Sequence, residues 1–163
     1  MRLGSWFVFL AAALSLVLLA TGHASAQKRQ PPYYASIAAG KARMRTGPGR
    51  NYPATWLYQR ADLPIKVVEV YKEWRKIEDP DGTQGWMLRT LLSDRRTAIV
   101  TGGITELRET PDFESRILWR AEPGVIGRIS KCSGGWCWFD VDGKAGYVQQ
   151  THLWGTDPGE QLD

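Results

Sequence analysis

The sequence has few of the residues from which catalytic and metal sites are built. Its 163 residues include only two cysteines and two histidines. The two thiols, Cys132 and Cys137, together with His152, are too few ligands for a tetrahedral zinc site. The sequence also lacks a glycine-rich phosphate-binding loop. We therefore expect no metal and no other cofactor.

Long hydrophobic runs are also lacking, apart from one near the N-terminus. Residues 6–20 are almost wholly apolar, Arg2 precedes them, and Ala24 and Ala26 form a small-residue cleavage pattern. This arrangement is typical of a secretory signal peptide, residues 1–26, cleaved after Ala26. A membrane anchor is the alternative, but a stable span needs about 20 apolar residues. We expect a periplasmic or secreted protein without a membrane span.

What the sequence does contain is an internal repeat. Three motifs occur twice in the same order, 61–63 residues apart: residues 44–48 and 107–111, residues 74–77 and 136–139, and residues 85–87 and 146–148. A unit of about 60 residues was therefore laid down twice. Such a unit is too small to enclose a deep reaction cleft and is typical of a binding module.

Each unit is dense in short strand signals and shows no sustained helical periodicity. Strands are predicted at residues 64–71 and 74–78, 125–132 and 136–141, with one 3-10 turn within 88–92 and a closing turn at 149–153. The predicted divisions are a linker at 27–35, units at 36–98 and 99–155, and a frayed acidic tail at 156–163. Five or so strands per unit predict an all-β fold of two small barrels, with tryptophans helping to fill their interiors.

Charge is distributed unevenly between the two units. Residues 27–98 carry 14 lysines and arginines against 7 acidic residues, whereas residues 99–163 carry 6 against 10. This difference is open to three interpretations: ordinary surface variation, a first unit that faces a polyanion, or two units that attract each other and dock. Because an exported protein meets wall polymers and lipid headgroups, its basic charge does not predict a nucleic-acid partner.

On these motifs the chain resembles tandem bacterial SH3-like domains of exported proteins. Each unit has an apolar-Arg-x-x-Pro opening, a Trp-x-x-apolar strand, an acidic-Gly turn and a Gly-aromatic-apolar strand. The resemblance implies two SH3-like barrels. It also implies a role in the cell envelope, because such domains are attached to many wall-binding and wall-hydrolysing proteins.

The two cysteines flank a predicted tight hairpin, Ser-Gly-Gly-Trp. Opposite positions on a hairpin have the Cα separation that a disulfide requires, so we expect a structural bridge between Cys132 and Cys137. A bonded cysteine cannot act as a nucleophile, which argues against Cys–His catalysis with His152. His152 also aligns with Leu91 of the first unit, in the closing turn. We therefore expect no catalytic residue.

Aromatic and arginine side chains are the remaining functional signal. Exposed rings beside arginines suit sugar rings and peptide carboxylates, through stacking and bidentate pairing. The expected ligand-binding residues are Arg45, Arg50, Tyr52, Trp56, Trp74 and Trp86 in the first unit, whose aromatics would ring one barrel end, and Arg108, Trp119, Trp136 and Tyr147 in the second. The sequence thus predicts a non-enzymatic module that contacts peptidoglycan or cell-wall peptides. The alternative is a protein–protein adaptor or regulator of an envelope sensor or hydrolase.

Overall fold

A computed structural model describes residues 29–163 as two antiparallel β-sheets of seven strands each. The predicted signal peptide lies outside the described residues. The all-β prediction is confirmed, because the regular structure of the described residues consists of strands and two short 3-10 turns. No helix in this part of the chain has the length and apolar character needed to cross a bilayer.

The first sheet forms the first barrel, and its strands follow the predicted boundaries closely. They are β1 (Tyr33–Ile37), β2 (Ala42–Arg45), β3 (Ala54–Tyr58), β4 (Pro64–Tyr71), β5 (Trp74–Glu78), β6 (Gln84–Leu88) and β7 (Leu92–Ser93), with a 3-10 turn at Arg89–Leu91. The strand order is β3-β2-β6-β5-β4-β1-β7.

The second sheet repeats this plan strand for strand. It contains β8 (Thr97–Val100), β9 (Thr105–Arg108), β10 (Ile117–Ala121), β11 (Ile126–Ser133), β12 (Trp136–Val141), β13 (Lys144–Gln149) and β14 (Leu153–Trp154), with a 3-10 turn at Gln150–His152. The strand order is β10-β9-β13-β12-β11-β8-β14, which is the order of the first sheet with seven added to each strand number. The duplication predicted from the sequence is therefore a duplication of the fold.

The recurring glycine of the last motif is explained by a close approach between strands. A Cβ atom on Gly85 would lie 2.5 Å from the Met44 side chain, and one on Gly146 would lie 2.9 Å from the backbone of Leu107 and Arg108. Strand β6 therefore crosses β2, and β13 crosses β9, at a distance that only glycine permits. This crossing brings the end of each sheet round into a barrel.

Each barrel has its own core, and the cores are mainly aliphatic. The first is centred on Ile37, Met44, Ile65, Ile77 and Met87, and the second on Val100, Leu107, Ile129, Phe139 and Val148. Of the seven tryptophans within residues 29–163, only Trp74 is buried, with 9% of its surface exposed. The expectation that tryptophans fill the interiors is wrong for the others, because smaller side chains, mainly aliphatic, occupy the two cores.

Both predicted peripheral segments belong to the folded body. Strand β1 begins at Tyr33, so the end of the predicted linker pairs with β4 through Tyr33↔Val67 and Tyr34↔Lys66. The tail is not frayed, because Leu162 forms a β-bridge with Cys132 through two backbone hydrogen bonds of 3.0 Å. Short polar segments can look like linkers in sequence although they complete a sheet edge.

The barrels dock on each other around Tyr34, which is buried. Its ring stands edge-on to Trp154 at 5.5 Å between centroids, and its hydroxyl donates to Asp157 at 3.2 Å. The Lys66 ammonium lies 4.9 Å from the ring centroid and also bonds Asp157, at 3.0 Å. Burial and then the charge of Asp157 raise the pKa of Tyr34, so the phenol remains a donor.

A second ion pair fixes the tail beside this contact. Arg96 binds Glu160 through two nitrogen–oxygen contacts of 2.7 and 2.9 Å. Burial alone would raise the pKa of Glu160, but hydrogen bonds from Arg96 and from the backbone of Asp157 lower it below its ordinary value. Basic residues of the first half thus pair with acidic residues of the second half. This arrangement agrees with the interpretation in which the two unevenly charged units attract each other and dock.

Candidate binding grooves

The disulfide defines one end of the second barrel. Cys132 and Cys137 are paired across the β11–β12 hairpin with a Cα–Cα distance of 4.1 Å, and both are buried. The predicted bridge is confirmed. The first barrel has Val70 paired with Arg75 at the equivalent place, so only the second barrel is cross-linked.

The two barrels carry grooves at equivalent positions. The first groove, of about 450 Å³, is lined by the cations Lys41, Arg43, Arg45 and Arg50 over an apolar floor of Leu57, Trp74, Leu88 and Leu91. The second, of about 420 Å³, includes Glu106, Arg108, Phe113, Arg120, Trp136 and His152. The repeat places Arg108 at the position of Arg45, Trp136 at that of Trp74, and His152 at that of Leu91, so the same surface was duplicated and then changed.

The recurring arginine braces the long loop of each barrel. Arg45 donates from Nη1 to the carbonyl oxygens of Arg50 and Tyr52, at 3.2 and 2.7 Å. Arg108 donates from Nη1 to the carbonyl oxygens of Phe113 and Ser115, five and seven residues later, as in the first barrel. Because both arginines satisfy loop carbonyls, their recurrence is explained by loop structure.

The remaining cations of the first groove have no partner among residues 29–163. The side chains of Lys41, Arg43 and Arg50 form neither hydrogen bonds nor ion pairs there, and all three residues are exposed. No carboxylate lines this groove. Like charges held together without counter-charges produce a positive potential that attracts anions.

The positive charge of the second groove is partly offset from within. Glu106 stands where the first groove has Arg43, and it pairs with Arg108 and, at 3.3 Å, with Arg120. Arg120 in turn stands where the first groove has Leu57. The Thr105 hydroxyl lies 2.8 Å from His152 Nδ1. The polar groups of this groove therefore bind one another.

The second groove is also partly covered by its own loop. Phe113, at the position of Arg50, packs edge-on against Trp136 with 5.1 Å between ring centroids. The Trp136 ring, which was expected to stack on a ligand, is thus already in contact with a side chain of the same domain. In the first groove no aromatic side chain lies against Trp74 among the described contacts.

The structure distributes the sequence-predicted site residues over several surfaces. Arg45, Arg50 and Trp74 line the first groove, and Arg108 and Trp136 line the second. Trp74 is nearly buried, so it offers a floor and little stacking surface. Trp119 lines a different pocket, which Leu107, Ala121 and other residues complete.

The predicted aromatic ring around one barrel end is absent from the described residues. Trp56 is 58% exposed and points to the opposite side of β3 from its neighbour Leu57, which lines the groove. Tyr52 covers the loop glycines, and its ring lies 2.4 Å from the point that a Cβ atom on Gly47 would occupy. Trp86 is half-buried on the outer face of β6, and Tyr147, on β13, packs edge-on against Trp138 at 5.1 Å.

Sequence reasoning missed the residues that distinguish the grooves. These are Lys41, Arg43 and Leu57 in the first barrel, and Glu106 and Arg120 in the second. Arg43 and Arg45 are two residues apart on β2 and share a face, so strand alternation was an available signal. No group of three or more metal-binding side chains occurs within residues 29–163.

The described residues thus form two small β-barrels, each with a surface groove. The sequence profile described as Bacterial SH3 domain matches residues 38–94 and 102–155, and the chain belongs to this family. Bacterial SH3 domains are generally binding modules. No curated protein sequence matches the chain.

Three solved structures share a distant likeness. NlpC2 and NlpC1 from Trichomonas vaginalis are each 11% identical with a TM-score of 0.35; the chain covers 49% and 48% of them, and the likeness spans 78% and 79% of this chain. An NlpC/P60 family protein from Bacillus cereus is 12% identical with a TM-score of 0.34, over 74% of this chain and 55% of that one. The chain spans about half the length of these proteins, and at these scores the likeness carries no argument about function.

Proposed function

We propose that this protein is a non-catalytic binding module of the bacterial cell envelope that contacts peptidoglycan peptides through the groove of its first barrel. The observation that carries the proposal is a set of three cations above an apolar floor, Lys41, Arg43 and Arg50, which have no partner among residues 29–163. Wall peptides present carboxylates beside short aliphatic side chains. Arginines bind carboxylates bidentately, and the floor accommodates methyl groups.

The disulfide supports an exported location, where a wall-binding protein would act. Disulfides persist in oxidising compartments outside the cytoplasm, and the Cys132–Cys137 bridge is buried in the second barrel. The same bridge removes both thiols from nucleophilic chemistry, which supports a function in binding rather than catalysis. The predicted signal peptide would deliver the chain to that compartment.

The test is co-sedimentation of the exported, oxidised protein with purified peptidoglycan. We expect the wild type in the pellet and the double variant Arg43→Gln/Arg50→Gln in the supernatant, with affinity reduced at least about tenfold. Arg45 and Trp74 are less suitable positions, since one braces the loop and the other is buried. The matched control is Arg128→Gln/Lys131→Gln, which removes two exposed cations from β11.

Two results would reject the wall-binding proposal. Wild-type protein that stays in the supernatant would do so, and so would equal binding by the two double variants. In the first case, recovery of a stoichiometric protein partner from envelope extract would favour the adaptor function.

A further inference from the structure

The two barrels also differ inside one end, which a side chain closes in the first barrel and which is open in the second. In the first barrel Tyr58 pairs with Ala42 across β2 and β3, is 6% exposed, and donates its hydroxyl to Asp79 at 2.8 Å. Its hydroxyl also lies 3.7 Å from the sulfur of Met44. The phenol ring thus closes this end of the core.

The second barrel lacks both members of this pair. Ala121 pairs with Thr105 as Tyr58 pairs with Ala42, so alanine stands where the phenol ring is. Val141 stands where Asp79 is, because each lies two residues after the position that pairs with the recurring glycine. The second barrel therefore has small apolar residues at both the donor and the acceptor position.

This replacement leaves a pocket of about 330 Å³ that reaches the second core. Its floor is formed by Leu107, Ala121, Val125 and Val141; Leu107 belongs to the core, and Val125 and Val141 pack against it. Trp119 and Lys144 form its outer side, with the ammonium 5.6 Å from the indole centroid. The charged residues Arg120, Glu122 and Lys144 complete the lining. A cavity of this size, with an apolar floor and a few charged groups at its rim, has the character of a ligand pocket.

We propose that this pocket on the second barrel binds the aromatic side chain of a partner polypeptide, a tyrosine or phenylalanine next to an acidic residue. The size of the occupant is indicated by the first barrel, where a phenol ring of the same chain fills the equivalent space. An acidic neighbour is indicated by the charge of the rim, where Arg120 and Lys144 outnumber Glu122. Lys144 has no ion pair within residues 29–163 and stands where the first barrel has Thr83.

The position of the pocket at a sheet edge indicates that the aromatic group belongs to a polypeptide. Strand β10 is the terminal strand of the second sheet and pairs only with β9 among the described strands. Three consecutive residues of it, Trp119, Arg120 and Ala121, line the pocket. An extended segment can lie along such an edge and insert every second side chain.

The experiment uses the exported, oxidised protein labelled with nitrogen-15. It is titrated with acetyl-Thr-Val-Asp-Tyr-Asp-Val-Thr-amide and with the same peptide carrying alanine in place of tyrosine. We expect the tyrosine peptide to shift the amide resonances of Ala121, Val141 and Lys144 and to bind at least about tenfold more tightly than the alanine peptide. Equal binding of the two peptides, or shifts confined to other residues, would overturn the proposal.

Two variants test the pocket itself. Ala121→Tyr/Val141→Asp transplants the plug of the first barrel, and we expect it to weaken the tyrosine peptide at least about tenfold. Lys144→Gln changes only an exposed side chain, so it tests the site even where the double variant fails to fold. We expect it to weaken the acidic peptide about threefold and to leave a peptide with asparagine for aspartate unchanged.

Lys131→Gln is the matched control, because it removes an exposed cation elsewhere on the same barrel. Unchanged binding by a folded Ala121→Tyr/Val141→Asp protein would overturn the proposal. Free 4-hydroxyphenylacetate that shifts the same resonances and binds as tightly as the peptide would also overturn it, and would assign the pocket to small aromatic acids instead.

Discussion

The grooves of the two barrels have the same construction and different electrostatics. Both are braced by an arginine that binds loop carbonyls five and seven residues later. Around this common frame the first groove has Arg43 and Leu57 where the second has Glu106 and Arg120. In the grooves, the arginine that holds the loop backbone is the same in both barrels, whereas the side chains that face the solvent differ.

The interiors show a second difference of the same kind. The first barrel is closed by Tyr58 and has no cross-link, whereas the second is open at that end and has a disulfide at the other. Each barrel thus has one stabilising feature that the other barrel lacks. A domain of about 60 residues buries a limited share of its surface, so a single such feature matters for stability.

The largest expected effect comes from removing the plug of the first barrel. Tyr58→Ala deletes a buried ring and leaves Asp79 without its hydroxyl donor, so we expect the free energy of unfolding to fall by about 3–5 kcal/mol. The measurement is urea unfolding followed by tryptophan fluorescence. Tyr58→Phe keeps the ring and should cost about 1–2 kcal/mol. Equal losses for the two variants would show that the ring does not close the core.

The next effect concerns the cross-link of the second barrel. Cys132→Ala/Cys137→Ala opens a short loop in the unfolded state, and we expect a loss of about 2 kcal/mol. Amide hydrogen exchange resolves the two barrels: protection should fall in β11 and β12 and stay the same in β4 and β5. A uniform loss of protection in all four strands would mean that the barrels unfold as one unit.

Exchanging the electrostatics of the grooves should have a smaller effect. The double variant Arg43→Glu/Leu57→Arg gives the first groove the side chains that the second groove has at these positions. We expect it to weaken binding of a carboxylate-bearing wall peptide about tenfold, or about 1.4 kcal/mol. The reciprocal change, Glu106→Arg/Arg120→Leu, should give the second groove affinity for the same peptide. Isothermal titration calorimetry measures both. Affinity that survives the first exchange would place the ligand elsewhere.

The smallest effect is a pH dependence of the tail. The pKa of Glu160 is lowered in the folded protein, so its contribution to stability is present above the ordinary value of about 4.3 and is lost as the pH falls through the lower folded value. We expect the Leu162 amide to lose protection from hydrogen exchange in that range. Glu160→Gln should remove the dependence, and a transition that persists in this variant would assign it to another group.

Several features of the fold follow directly from the sequence. Spacing of the repeated motifs predicts two equivalent units, and the strands at residues 64–71 and 74–78 have the predicted bounds. The hairpin between the cysteines predicts their bond. These features are local, since turns, alternation and short-range pairing depend on residues close in sequence.

The candidate site is less accessible to sequence reasoning. The aromatic residues were expected to form one surface, but Trp56, Trp86 and Tyr147 lie away from the grooves. Their faces depend on which neighbours are buried, and the bulge between Met44 and Arg45 changes the register where the motif begins. Composition alone does not reveal such a shift.

By itself, the sequence determined that the chain is a doublet of small all-β units with one disulfide, because those properties arise from periodicity, turns and the spacing of two thiols. Only the tertiary structure decided that one groove is open and basic while its duplicate binds its own side chains. It also decided that one barrel end is closed by Tyr58 and the other is left open by Ala121. These differences depend on contacts between residues far apart in the chain, which become neighbours only when the sheets close.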